Sequence, residues 1–397
     1  MMPPTVSEPE SRSRRPSPRL KPQNVRRFVD DLFGDTMHAR RVDSVADGVS
    51  GVLQAASLAI HAIGRGLAAA KGIHAKHATK QVDRLLSNTG IPLARLFELW
   101  VQFVVGVRKE LVVALDWTEF DGDKQATICL YLVTSHGRAT PLIWKSVEKA
   151  TLEGKRNAYE DEVIERLSLA LPKEVQLTLL ADRGFGDQKR YEHLKLLGWD
   201  YVIRFRECIL VTDTAGTTRR ASEWLYKNGK AKMLKGARVT DDKTEVPAVV
   251  FVHDKRMKDA WCLATSRADF GAAAVVKLYG RRFTIEETFR DTKDVHFGMG
   301  LSATHIRNTD RRDRLLFLGA IAHALLTLLG AAGERCGLDR TLKTNTVKRR
   351  TLSLYRQGSF WYDAIPAMPD DRLVQLMSAY DECVREQQLL REIFGLL

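Results

Sequence analysis

Three acidic residues stand out as the groups in this chain best suited to chemistry. Asp116 follows the apolar run LVVAL and Asp182 follows QLTLLA, so both are expected at the ends of buried strands. An acid there is costly to bury unless a cation or hydrogen bonds compensate for it. Either aspartate alone also suits the turn-capping role common after a strand. Glu286 offers a third oxygen ligand. Three carboxylates with no histidine or cysteine cluster beside them favour hard divalent ions, Mg²⁺ or Mn²⁺, over zinc. Two such ions about 4 Å apart can activate a water and stabilise a leaving oxygen in phosphodiester displacement.

Glu286 belongs to YGRRFTIEETFRDTKD, residues 279–294, which contains no proline and follows the apolar entry 273–278. The spacing predicts one continuous helix. At about 100° per residue, Tyr279, Arg282, Glu286 and Lys293 fall within roughly 60° of one another along about 21 Å of axis. Such a stripe is longer than a small-molecule site requires and suits an extended anionic polymer. Arg282 and Lys293 are suited to hold phosphates beside the metals. Phe283 and Phe289 are available for packing.

The elements needed to position these groups are legible as changes of texture. Residues 1–25 are rich in Pro, Ser and Arg and read as a disordered basic arm. Residues 26–108 have helical periodicity, with Lys76, His77, Lys80 and Arg84 on one basic face that suits either solvent or DNA. Residues 109–205 then read as strand, hairpin, helix, strand, helix, strand, a mixed sheet with helices on its faces. Between 206 and 266 short apolar runs alternate with Gly, Asp and Lys turns, which predicts a β-strand insertion. The sheet domain resumes over 267–335, and 336–397 reads as a C-terminal helical region carrying the basic stretch RTLKTNTVKRRTLSLYR.

The whole chain of 397 residues has a formal net charge of +13, which favours a polyanionic partner, nucleic acid before membrane. Its five cysteines are scattered without a C-x-x-C pair, so reduced thiols and a cytoplasmic setting are expected. No secretory signal is expected at the polar start. The run 315–333 approaches membrane-spanning length but contains His323 and Thr327, and it reads as a buried core helix.

LDWTEF, ADRGFGD and YGRRFTIEETFRDTK resemble the three catalytic blocks of bacterial insertion-sequence DDE transposases. They are most similar to the subgroup marked by Tyr-x2-Arg-x3-Glu-x6-Lys (insertion sequence family four). Tyr279, Arg282, Glu286 and Lys293 fill every position of that signature, and the similarity extends from about Lys76 to Gly358. The resemblance implies an α/β, ribonuclease-H-like mixed-sheet core with a β-rich insertion before the glutamate helix, preceded by a helical N-terminal DNA-binding domain. It implies that Asp116, Asp182 and Glu286 ligate Mg²⁺ or Mn²⁺, with two ions expected. Tyr279, Arg282 and Lys293 would contact phosphates of the element's end.

The implied reaction is nicking at inverted-repeat ends, followed by attack of the freed 3′-hydroxyl on the opposite strand or on target DNA. The implied assembly is a homodimer on two double-stranded ends, in the bacterial cytoplasm and on the nucleoid. Base flipping, where it occurs in the family, needs a stacking surface, for which Phe283 and Trp261 are the candidates. Arg183, Lys80, Arg84, Arg349 and Arg350 are further candidate DNA contacts, although Arg183 equally suits pairing with a nearby acid. Glu119 and Asp187 adjoin the expected ligands without being assigned a role. Glu287 turns off the stripe, and His253 and His296 lack companions at ligand spacing. Two other readings compete: a catalytically silent DNA-binding repressor, and a metal-dependent nuclease without strand transfer. The three acids and the full signature favour an active enzyme.

Overall fold

The computed structural model describes residues 20–226, 228–296 and 298–385. Most of the expected basic arm therefore lies outside the described residues, as does the end of the C-terminal region. The packed chain begins earlier than the boundary expected at residue 25. Helix α1 (Pro22–Phe33) starts with a proline in its first turn, and Leu20 and Val25 are buried. Four more helices follow: α2 (Ala39–Ala55), α3 (Ile60–Lys71), α4 (Ala75–Ser87) and α5 (Leu93–Val105). In α4 the apolar positions Ala78, Val82, Leu85 and Leu86 turn inward, while Lys76, His77, Lys80 and Arg84 remain exposed.

The centre of the molecule is one mixed sheet. Its first five strands are β1 (Glu110–Phe120), β2 (Gln125–Leu132), β3 (Thr140–Glu148), β4 (Gln176–Ala181) and β5 (Asp200–Phe205). Helix α6 (Arg156–Ala170) joins β3 to β4, and α7 (Gln188–Leu196) joins β4 to β5. Strands β1, β4 and β5 run parallel, whereas β2 and β3 form an antiparallel hairpin beside β1. Apolar residues on both faces of β1 and β4 explain their central position.

The expected insertion folds as β6 (Leu210–Thr212), β7 (Thr218–Arg220), β8 (Lys232–Val239), β9 (Thr244–Val252) and β10 (Trp261–Thr265). These strands extend the same sheet instead of forming a separate one. The full order is β3-β2-β1-β4-β5-β10-β9-β8-β6-β7, with β10 hydrogen-bonded antiparallel to β5.

The expected continuous helix over the charged stripe is interrupted. Helix α8 (Ala272–Gly280) passes into a 3₁₀ turn, Arg281–Phe283, before α9 (Thr284–Lys293) begins. Tighter winding at this turn shifts the phase between Tyr279 and Glu286. The long apolar helix α10 (Thr309–Arg335) is long and apolar enough to cross a membrane, yet its most apolar window is 94% buried within the protein. It packs against α11 (Leu354–Ala364) and α12 (Asp370–Arg385). Gly330 and Gly358 permit the α10–α11 crossing, because a Cβ on either would run into the carbonyl oxygen of Leu354 or Leu326.

Candidate active site

Strand register brings the two aspartates together. Leu115 pairs with Ala181 across the parallel β1–β4 ladder, so Asp116 and Asp182 follow at the same level on neighbouring strands. Asp182 lies just past the end of β4, as expected. Asp116 does not end its strand: β1 continues to Phe120 because Asp116 to Phe120 still pair with β2. Each carboxylate accepts the next residue's amide, Trp117 at 2.9 Å and Arg183 at 2.7 Å. These bonds direct both acids toward the same end of the sheet.

Arg282 links them to the helix. Its Nη1 donates to Asp116 Oδ2 at 2.8 Å, and its Nη2 donates to Glu286 Oε1 at 2.8 Å and lies 4.0 Å from Asp182 Oδ2. All three acids therefore lie within 4.0 Å of one guanidinium. The Arg282 side chain is 4% exposed and that of Glu286 50%, so the cluster is buried at its root and opens on the Glu286 side. Burial pushes the Asp116 carboxyl up to about 6, Arg282 opposing the rise and the neighbouring Asp182 and Glu286 adding to it. For Arg282, burial works against the charge, but Tyr279 and the three acids outweigh it and raise the guanidinium above its ordinary value.

Tyr279 is buried, and its hydroxyl donates to Asp182 Oδ1 at 3.3 Å. Burial raises its phenol well above the usual range. Lys293 reaches β1, donating to the Glu119 carbonyl at 2.7 Å and to Thr118 Oγ1 at 3.3 Å. Desolvation lowers its ammonium, against the pull of Asp121 and Glu119. Beside the site, Trp261 stacks on Phe283 with centroids 5.9 Å apart and meets Tyr279 edge-on at 4.9 Å. Phe283 is exposed, and the Arg282 guanidinium lies 4.9 Å from its ring centroid.

The remaining candidates are scattered. Arg183 is exposed next to Asp182, while Lys80 and Arg84 lie on the outer face of α4. Arg349 is exposed, but Arg350 is engaged by Glu334 through two bonds of 2.6 Å. Glu119 pairs with Lys149, and Asp187 caps α7 through the Lys189 amide. Glu287 turns toward Arg290 and Arg138, and His253 and His296 are exposed.

Two buried networks around the cluster had no sequence signal. Trp117, next to Asp116, donates to Glu160 at 2.7 Å, and Arg190 donates to the other Glu160 oxygen at 2.8 Å. On the opposite face of α9, Asp291 holds Arg138 and Arg356. Their partners are far apart in sequence, so no local spacing could reveal them.

Among the described residues, no three His, Cys, Asp or Glu side chains close on a common point by themselves; a cation side chain stands between these acids. The donor chemistry nevertheless fits a hard divalent ion, since all three groups are carboxylates already gathered around positive charge. The transposase DDE domain family model matches residues 108–325, more than half of the chain. No curated protein matches the chain significantly.

Proposed function

Because the chain belongs to the transposase DDE domain family, we propose that it is an insertion-sequence transposase of the Tyr-x2-Arg-x3-Glu-x6-Lys subgroup. It binds the inverted-repeat ends of its element and carries out metal-dependent cleavage and strand transfer. The carrying observation is the convergence of Asp116, Asp182 and Glu286 on one guanidinium. The strand order β3-β2-β1-β4-β5 supports a ribonuclease-H-like core, with β6 to β10 as its insertion. On this reading 109–205 and 267–335 form the catalytic domain, 26–108 a helical DNA-binding region and 336–397 a C-terminal region.

Asp116, Asp182 and Glu286 would hold Mg²⁺ or Mn²⁺. The bound ions would supply an activated water and charge neutralisation at the leaving oxygen. Tyr279 orients Asp182 through its hydroxyl, and Lys293 braces α9 against β1 while adding positive charge. The guanidinium of Arg282 and the exposed cations of α4 neutralise backbone phosphates. The stacked pair Trp261 and Phe283 offers an aromatic surface for an unpaired base. A homodimer bridging two double-stranded ends, in the cytoplasm, completes the proposal.

The direct test is incubation with the flanking inverted repeats and Mg²⁺, mapping cut and joined strands. The proposal expects nicks at the element's ends and joined products. Cleavage without joining would favour a plain nuclease, and binding without cleavage a silent repressor.

A further inference from the structure

The cation shared by the three acids is part of the chain. Arg282 commits Nη1 to Asp116 Oδ2 and Nη2 to Glu286 Oε1, both at 2.8 Å. A hard divalent ion would need carboxylate oxygens as direct ligands at about 2.0–2.1 Å. Two cations competing for the same oxygens at such range repel each other strongly at a poorly hydrated site. Guanidinium and metal therefore compete for these carboxylates.

The resident pose is also incompletely satisfied. Arg282 Nε is buried without a hydrogen-bond partner, an unfavourable position for a charged donor. Its ring neighbours, Phe283 at 4.9 Å and Tyr279 at 5.9 Å, contact the guanidinium without accepting that proton in a hydrogen bond. A displaced guanidinium would require a new anion, and the cluster opens to solvent on the Glu286 side. A DNA phosphate at that opening would satisfy it.

We propose that Arg282 is an exchangeable internal counter-ion, which couples loading of the divalent ion to binding of DNA. The inference rests on the proposed roles of the acids as ligands and of Arg282 as a phosphate contact. Without DNA, the ion must displace Arg282 with nothing to receive it, so affinity is low. With DNA, a phosphate receives the guanidinium and the carboxylates are released. By reciprocity, the ion tightens DNA binding by the same factor. The device keeps the nicking centre free of metal until an end is in place.

The test is Mn²⁺ binding followed by the electron paramagnetic resonance of free Mn²⁺, with and without a duplex carrying the flanking inverted repeat. Without DNA, Arg282→Gln should bind Mn²⁺ about tenfold more tightly than the parent, or roughly 1.4 kcal/mol. The duplex should tighten the parent by about tenfold and the Gln variant by no more than about threefold. Arg282→Lys should stay close to the parent without DNA, because it keeps the competing charge. Arg282→Met, which retains an apolar stem, replaces the Gln variant if that chain does not fold. Equal DNA-free affinities for parent and Gln variant would overturn the exchange, as would a Lys variant as tight as the Gln variant. Asp182→Asn separates the two levels: its loss of Mn²⁺ binding supports the ligand reading independently. Undiminished Mn²⁺ binding by that variant would sink the ligand reading and the exchange with it.

Discussion

Asp291 binds Arg356 of α11 at 2.5 Å from the side of α9 facing away from Glu286. The same carboxylate also takes Arg138, from the β2–β3 loop, in a close ion pair. One turn earlier, Thr288 Oγ1 exchanges hydrogen bonds with the Ala139 amide and carbonyl, both at 2.9 Å. Thr288 and Asp291 thus staple one face of α9, while Glu286 projects from the other. Asp291→Ala would leave two arginines without their buried anion. A loss of about 3–5 kcal/mol in unfolding free energy is expected, the usual cost of breaking such a pair from one side. An unchanged denaturant midpoint would show that the staple carries no stability.

Asp182→Asn keeps the shape of the side chain and removes its charge. End binding without divalent ion should persist, and single-turnover nicking in Mg²⁺ should fall on the order of 10³-fold, about 4 kcal/mol of transition-state stabilisation. Cleavage at the parental rate by this variant would exclude Asp182 from the reaction.

Lys293→Ala should weaken end complexes and reduce the slope of log K against log salt by about 1. The Lys293 contact with the Glu119 carbonyl suggests a second effect, a looser seating of α9 on β1. Filter binding across a salt series separates the two. A weaker complex with an unchanged slope would assign Lys293 to bracing alone.

Asp313, at the start of α10, accepts the Ser146 amide with both oxygens, at 3.0 and 3.3 Å, and so covers edge strand β3. Burial pushes its carboxyl up to about 7. Its unfolded value is about 4, so the stability it contributes is complete below about pH 4 and is lost as pH rises through about 7. Asp313→Asn should be more stable than the parent at about pH 8.5, on the order of 1–3 kcal/mol, and that advantage should shrink as pH falls from about 7 and vanish near pH 4. A pH-independent difference in thermal midpoint would contradict this assignment.

Much of the sheet was legible because burial on both faces writes strands as continuous apolar runs, as in LVVAL and QLTLLA. The same signal concealed how far β1 runs: DWTEF looks like a strand exit, yet cross-strand pairing with β2 carries it to Phe120. The helical break at Arg281–Phe283 falls directly after Gly280, a weak breaker that the helical spacing of the charged stripe outweighed in the expectation of one continuous helix. The convergence of Asp116, Asp182 and Glu286 was readable from residue type and order. The guanidinium among them was not, because Arg282 suits an external phosphate as well as an internal acid. Asp291 was invisible for a different reason: its partners are brought to it only by the tertiary fold.

The seam between β5 and β10 carries a consequence for shortened versions of this protein. Removing 206–266 would strip β5 of its outer neighbour and leave a row of unsatisfied backbone donors and acceptors next to Arg204. Such a bare margin invites pairing with other chains. A deletion that looks modular on paper should therefore yield aggregates, unless something else shields that flank.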